Sequence, residues 1–324
     1  MCRKLRQPPH STLMGDLPSD RLRPFEPPFS VTGVDLFGPF FLKYGRNQSK
    51  KAWGAIFTCA TSRAVLLEIV DNLSTEAFLQ ALRRFVSHHG WPHTIISDNG
   101  TSFTGAQKEL KVLVKEARRQ LMDFASLHEV KWKFITPLSP HQGGFYESLI
   151  RQIKRALQVA VGKQVLTWNE MATVFAEVQC LVDSRPIGFT PKNPNDIQPL
   201  TPNHFVLGRA TPAVHQGPFQ ETRNLRKRFE FVQMLVQQFW KRFVHEYIPT
   251  LTKRSKWQRK GRQLQVDDIV LLTEINVPRG KWNLGRIVET YQGQDGIVRN
   301  VKVKTQYGEY KRSVQKCCPI LEQD

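Results

Sequence analysis

The sequence predicts an α/β domain, then a basic helical segment, then a small β-barrel. Three observations carry that prediction. Runs of β-branched and aromatic residues separated by Gly, Asn and Ser turns mark strands near the start. Amphipathic stretches with helix start signals alternate with further strands between residues 74 and 187. Past residue 200 the composition shifts, first to a long basic helix and then to several short strands.

Residues 1–29 are polar and proline-rich ("QPPH", "LRPFEPPFS") and read as a linker. "SVTGVDLFGPFFL" (30–42), "KAWGAIFTCATS" (51–62) and "AVLLEIVD" (64–71) are three strands with short links, so an antiparallel meander is expected. "STEAFLQALRRFVSHHG" (74–90) carries Ser74 at the N-cap position, an apolar face of Phe78, Leu82, Phe85 and Val86, and Gly90 after its end. "PHTIISD" (92–98) is a fourth strand, residues 104–127 are helical, and "VKWKFITP" (130–137) is a fifth strand. Residues 145–161 and 168–187 are two more helices. Three strands, helix, strand, helix, strand, helix is the element order of an RNase H-like fold. Residues 223–251 form a long basic amphipathic helix. "DDIVLLTE", "WNLGRIVETY", "IVRNVKVKT" and "GEYKRSVQK" are short strands divided by turns at Pro278-Arg279-Gly280, Gln294-Asp295-Gly296 and Tyr307-Gly308, which suggests a small barrel.

A chain of 324 residues has room for two or three domains. No apolar run approaches the ~20 residues of a membrane span, and the N-terminus has no apolar signal-peptide region, so neither membrane insertion nor secretion is expected. The net charge is +19, from 47 Lys and Arg against 28 Asp and Glu. Such an excess favours a nucleic-acid partner, whose phosphates release counterions when neutralised, over a merely soluble surface. The five cysteines (Cys2, Cys59, Cys180, Cys317, Cys318) are odd in number and scattered, which points to a reducing compartment. No C-x-x-C occurs, so no complete zinc site can be written, and His88, His89 and His93 read as a helix end and its loop.

Three carboxylates stand out by position. Asp35 lies in the middle of the first strand, in "TGVDLFGP", where an unpaired charge would cost several kcal/mol. Asp98 ends the fourth strand, in "IISDNGTSFTG", and Glu147 lies in the first turn of the helix after "PHQGG". Asp98 alone could be a turn residue before Asn-Gly, and Glu147 alone a first-turn acid favoured by the helix dipole. If strands one and four are neighbours, Asp35 and Asp98 converge and Glu147 approaches from the helix across them. Hard oxygen ligands suit Mg²⁺ or Mn²⁺, and two such ions serve in-line phosphoryl transfer. Gly143-Gly144 would allow close backbone approach to a duplex. Arg151 and Lys154 fall at i+4 and i+7 from Glu147, on one helix face, where they could hold DNA phosphates or simply be solvated.

"GVDLFGPF", "IISDNGTSFTGAQKEL" and "WKFITPLSPHQGGFYESLIRQIKRAL" closely resemble the integrase core of retroelements, most specifically the BEL/Pao type of LTR retrotransposon. The resemblance implies an RNase H-like integrase catalytic core over residues 25–190, with the family's D…D…E pattern falling on Asp35, Asp98 and Glu147. The 48 residues between Asp98 and Glu147 make a longer gap than in retroviral integrases, as in the BEL/Pao group. It also implies a helical basic linker over 191–262, where "LTPNHFVLGR" is similar to the family's linker, and an SH3-like β-barrel over 263–321. Relatives carry an N-terminal His₂Cys₂ zinc module. Cys2 resembles its last ligand, so residues 1–24 are expected to be a remnant of that module and a linker. The chain then reads as a piece of an element's polyprotein or as a host gene derived from one. One departure is "GGFYES", where relatives more often show Leu-Trp before the Glu and Arg after it; Tyr146 keeps an aromatic there.

Three functions compete. The first is a metal-dependent DNA strand transferase, with Asp35, Asp98 and Glu147 holding two Mg²⁺ (or Mn²⁺) ions, acting on element ends and target DNA. The second is a domesticated or decayed DNA- or chromatin-binding protein without catalysis. Residues 241–262, with eight Lys and Arg against the single Glu246, would bind DNA in either case. Lys253, Arg254, Lys256, Arg259 and Lys260 are the candidate contacts there, with Trp257 available for stacking. The third, a plain RNase H-type nuclease, leaves the downstream basic segments without a role. The family further implies a homo-oligomer and a nuclear location.

Overall fold

The β-branched and aromatic residues of the first predicted strand build the spine of the molecule, β1 (Val31–Lys43). The computed structural model describes residues 23–98, 100–109, 130–134, 144–193, 196–210, 227–251, 263–272, 282–292 and 298–319. β2 (Ser49–Cys59) and β3 (Val65–Val70) follow as the expected antiparallel meander. Helix α1 (Thr75–His89) starts where Ser74 accepts a hydrogen bond from the Ala77 N–H and stops at Gly90, whose φ of 79° suits only a residue without Cβ strain. β4 (Thr94–Ser97) then pairs parallel with β1, residues 101–109 form α2, and β5 (Lys131–Phe134) pairs parallel with β4.

The resulting strand order is β3-β2-β1-β4-β5. An antiparallel meander extended by parallel strands on the far side of its first member is the RNase H-like sheet, so the predicted fold class holds. α1 and α2 cover one face, with Phe78, Leu82, Phe85 and Phe103 packed on Val34 and Phe57. α3 (Gly144–Val161) and α4 (Trp168–Asp183) cover the other, against Val31, Phe37, Ile56 and Ile96. Between Phe37 and Phe40 the β1–β2 register shifts, so Phe40 and Leu42 join Val31 and Phe37 on one face although their numbers change parity. Opposite Phe37 stands Gly54, where an added Cβ would come within 2.4 Å of the phenyl ring. The short β6 (Val165–Leu166) adds to β1 beside Phe41 and Leu42.

The core is locked at its edge by a buried charge pair. Asp183 accepts hydrogen bonds from the Val65 N–H, and Arg185 donates to the carbonyls of Val182 and Arg63. Burial pushes the Asp183 carboxyl up, against the pull of Arg185.

Residues 191–262 are more than the helical linker expected. They include most of a hairpin, β7 (Gly188–Asn193) with β8 (Asp196–Leu200), and a short α5 (Pro202–Leu207). α6 (Arg228–Leu251) buries Phe231, Leu235, Val236, Phe239, Trp240 and Phe243 in the same apolar cluster as α3 and α4. It is therefore a third helix of the core layer. Its apolar stripe, not its basic charge, decides where it sits. Arg228 adds a charged clamp, donating to both oxygens of Glu170 at 2.6 Å, while Glu170 also caps α4 with Thr167.

The C-terminal strands are β9 (Ile269–Leu272), β10 (Leu284–Gln292), β11 (Val298–Thr305), β12 (Gly308–Ser313) and β13 (Cys317–Pro319). They pair antiparallel in the order β12-β11-β10-β9-β13, with a 3₁₀ turn over Val314–Lys316 before the last strand returns to β9. A meander closed by its last strand on its first is compatible with the SH3-like barrel expected. Trp282, just before β10, packs on Trp240 and Tyr247 of α6, so this domain is seated on the core through α6.

Hydrogen bonding by Arg228, foremost, holds the Glu170 carboxyl down to about 2. A depressed acid stabilises the fold above its ordinary value and loses that contribution as pH falls toward the folded value. Glu170→Gln should therefore cost about 1–2 kcal/mol in urea unfolding at neutral pH, with the difference from wild type shrinking as pH falls toward 2. A pH-independent difference would show that the charge on Glu170 is not what ties α6 to α4.

Candidate active site

Parallel pairing sets the geometry. The register matches Val31 with Thr94, Thr32 with Ile95 and Gly33 with Ile96. Two residues past the last matched pair come Asp35, within β1, and Asp98, the residue after β4, and the same register continued sets them side by side. In-register residues of a parallel pair point to the same side, and alternation places both acids on the face of Val31 and Ile96. That is the face covered by α3. The two are near enough that the Asp98 charge raises the Asp35 pKa.

Their surroundings differ. Asp35 is half-buried, and burial is the main influence pushing its carboxyl above the usual range. Lys154 opposes that shift: its ammonium lies 2.5 Å from Asp35 Oδ2 and also donates to the Leu36 carbonyl at 3.2 Å. Asp98 is exposed at the end of β4, where its Oδ1 accepts the Gly100 N–H at 2.9 Å. The turn role considered for Asp98 is thus real, and it leaves the second carboxylate oxygen for another partner. β4 is braced from β5, where Trp132 Nε1 donates to Ser97 Oγ at 2.9 Å and Ser97 Oγ donates to the Asp98 carbonyl. The sequence carried no signal for this brace, because the two residues meet only through strand pairing.

Glu147 lies in the first turn of α3, on the helical stripe it shares with Arg151 and Lys154. Its side chain is outside the described ones. Arg151 is exposed on α3, while Lys154, expected to face DNA phosphate, reaches Asp35. Lys253, Arg254, Lys256, Arg259, Lys260 and Trp257 lie outside the described residues, as do Cys2 and Gly143. Among the described residues no group of three or more His, Cys, Asp or Glu side chains is placed to hold a metal.

The donor set nevertheless fits a hard divalent cation in one respect. Asp35 and Asp98 are adjacent carboxylates that repel each other, and Lys154 supplies a positive charge beside the more buried one. A cation binding there would have to displace the ammonium or share Asp35 with it.

Comparison with known proteins adds the following. Residues 227–320 match the model of a family of unknown function, DUF5641, which spans α6 and the C-terminal domain. No curated protein matches. Among solved structures, the chain is similar at 12% identity to a chain of a simian T-cell lymphotropic virus intasome in complex with PP2A regulatory subunit B56 gamma, covering 100% of this chain and 88% of that one at a TM-score of 0.40. It is also similar at 15% identity to the HTLV-2 integrase catalytic core domain in complex with magnesium, covering 56% of this chain and 97% of that one at a TM-score of 0.36. Likenesses this remote leave the fold resting on the strand order and register above.

Removing the ammonium that shares Asp35 should free that carboxylate for a metal. Lys154→Met should raise Mn²⁺ affinity about fivefold, the equivalent of ~1 kcal/mol for a partly exposed ion pair, as read by calorimetric titration in the absence of DNA. Unchanged or weaker binding would mean that Lys154 does not compete for the site.

Proposed function

We propose that this chain is a retroelement-type integrase of the BEL/Pao kind, acting as a DDE-type polynucleotidyl transferase in DNA 3′-end processing and strand transfer. The observation that carries the proposal is the shared level and face of Asp35 and Asp98, set by the β1–β4 register beneath the helix that bears Glu147. Asp35, Asp98 and Glu147 would hold two Mg²⁺ (or Mn²⁺) ions. Bound there, the ions supply an activated nucleophile and stabilise the leaving oxygen of an in-line displacement.

The chain's own residues do the remainder. Asp35, fixed within a continuous strand, gives the site its rigid side, and Asp98, at a strand end beside a turn, gives it an open one. Lys154 can exchange Asp35 for a DNA phosphate once the carboxylates are otherwise neutralised, with Arg151 one turn away on the same helix face. In this proposal the basic segment with Lys253, Arg254, Lys256, Arg259 and Lys260 tracks DNA outside the site. The SH3-like domain meets DNA or chromatin, several copies assemble, and the protein works in the nucleus. The charge of +19 supports a DNA partner through counterion release.

Disintegration, the reverse of strand transfer, on a branched DNA with Mn²⁺ tests the chemistry with the fewest other demands. Wild type should give joined product, and Glu147→Gln should bind DNA equally while losing at least about a hundredfold in rate. Salt-sensitive DNA binding by both with product from neither would overturn the enzyme and leave the non-catalytic DNA- or chromatin-binding protein.

A further inference from the structure

The central hairpin runs well past the carboxylates. β4 pairs with β1 only as far as Gly33, and β3 pairs with β2 only between Trp53 and Thr58. Beyond those limits β1 and β2 continue as a ribbon, joined among the described strands only by the two residues of β6, to a turn closed by the Tyr44 N–H donating to the Gln48 carbonyl at 2.9 Å. The tip, residues 43–51, reads "KYGRNQSKK", and every one of its residues is exposed.

Its chemistry is one-sided. Lys43, Arg46, Lys50 and Lys51 are cations, and the tip has no carboxylate. None of the four has an ion-pair partner among the described residues, whereas Arg84, Arg155, Arg228, Arg242 and Lys302 each meet a glutamate. Tyr44 is 73% exposed, with Lys50 Nζ 5.8 Å from its ring centroid. Lysines on a strand edge can serve only to block aggregation, but that purpose needs neither a single sign of charge nor an exposed aromatic. A two-stranded ribbon is also one of the shapes that the major groove of B-form DNA admits.

We propose that the β1–β2 tip is a second duplex-DNA contact, gripping backbone phosphates at a distance from the carboxylates. The position rests on the DNA-joining function proposed above and specifies where the duplex runs. Lys43 lies eight residue steps along β1 from Asp35, which at ~3.3 Å per step is about 25 Å of strand. Along a duplex that is about seven base pairs, at ~3.4 Å each. The tip therefore engages DNA well outside the reacting phosphodiester and is not needed for the chemistry itself.

The test uses the full chain and a labelled duplex of about 30 base pairs, titrated between about 50 and 200 mM salt. Replacing Lys43, Arg46, Lys50 and Lys51 together by Gln should lower the slope of log K against log[salt] by about two to four, at ~0.9 for each phosphate no longer neutralised. The melting temperature should not change, because the four side chains are exposed and none has an ion-pair partner among the described residues. If the fourfold variant does not melt cooperatively, Lys43→Gln and Lys50→Gln singly should each take about one unit from the slope. An unchanged slope in a folded variant, beside a steep wild-type slope, overturns the tip contact and leaves the proposed function standing. A wild type with no salt-dependent DNA binding overturns both. Tip-dependent binding that is tighter to duplex RNA than to duplex DNA overturns the choice of DNA, since the A-form major groove is too narrow for side-chain readout.

Discussion

The parallel pairing of β1 with β4 is the constraint on which the rest depends. It is short, spanning Val31–Gly33 against Thr94–Ile96, yet it fixes three things at once. It makes β1 an interior strand, so both sheet faces must be covered by helices. It brings the chain back after α1 to lie beside its own first strand, which defines the topology. It also sets the register that carries Asp35 and Asp98 to one level. A slip of one residue would turn Asp98 to the opposite face, away from Asp35 and α3.

The two acids share a level without sharing an environment. Asp35 sits within a strand that continues past it, so burial works against its charge and a cationic partner is required. Lys154 meets that requirement. Asp98 stands at a strand end in solvent, with a backbone N–H on one oxygen. A rigid, partly desolvated carboxylate beside an exposed one suits a site that takes up an ion from solvent. The ribbon beyond Asp35 extends the same strand into a basic tip, so one element carries both the proposed chemistry and the proposed distal contact.

Much of this was legible in the sequence, for identifiable reasons. Asp35 could be singled out because a charge amid Val34, Leu36 and Phe37 has no ordinary reason to be there. Ser74 and Gly90 bounded α1 correctly because capping is local chemistry. α6 was read as an amphipathic helix but assigned to a basic linker, because nothing local says that its aromatic stripe is buried against α3 and α4. The β7–β8 hairpin was missed among prolines and polar residues that break the alternation expected of strands. The Lys154–Asp35 contact joins residues 119 apart, and no local pattern announces it.

The central claim is that Asp35 and Asp98 share a divalent metal. Crystals of the protein grown with Mn²⁺ and measured at the manganese absorption edge test it directly. The account predicts an anomalous peak about 2.0–2.3 Å from a carboxylate oxygen of both aspartates, with the Lys154 ammonium moved off Asp35. A Mn²⁺-saturated crystal with no peak between them, and Lys154 still seated on Asp35, would contradict it.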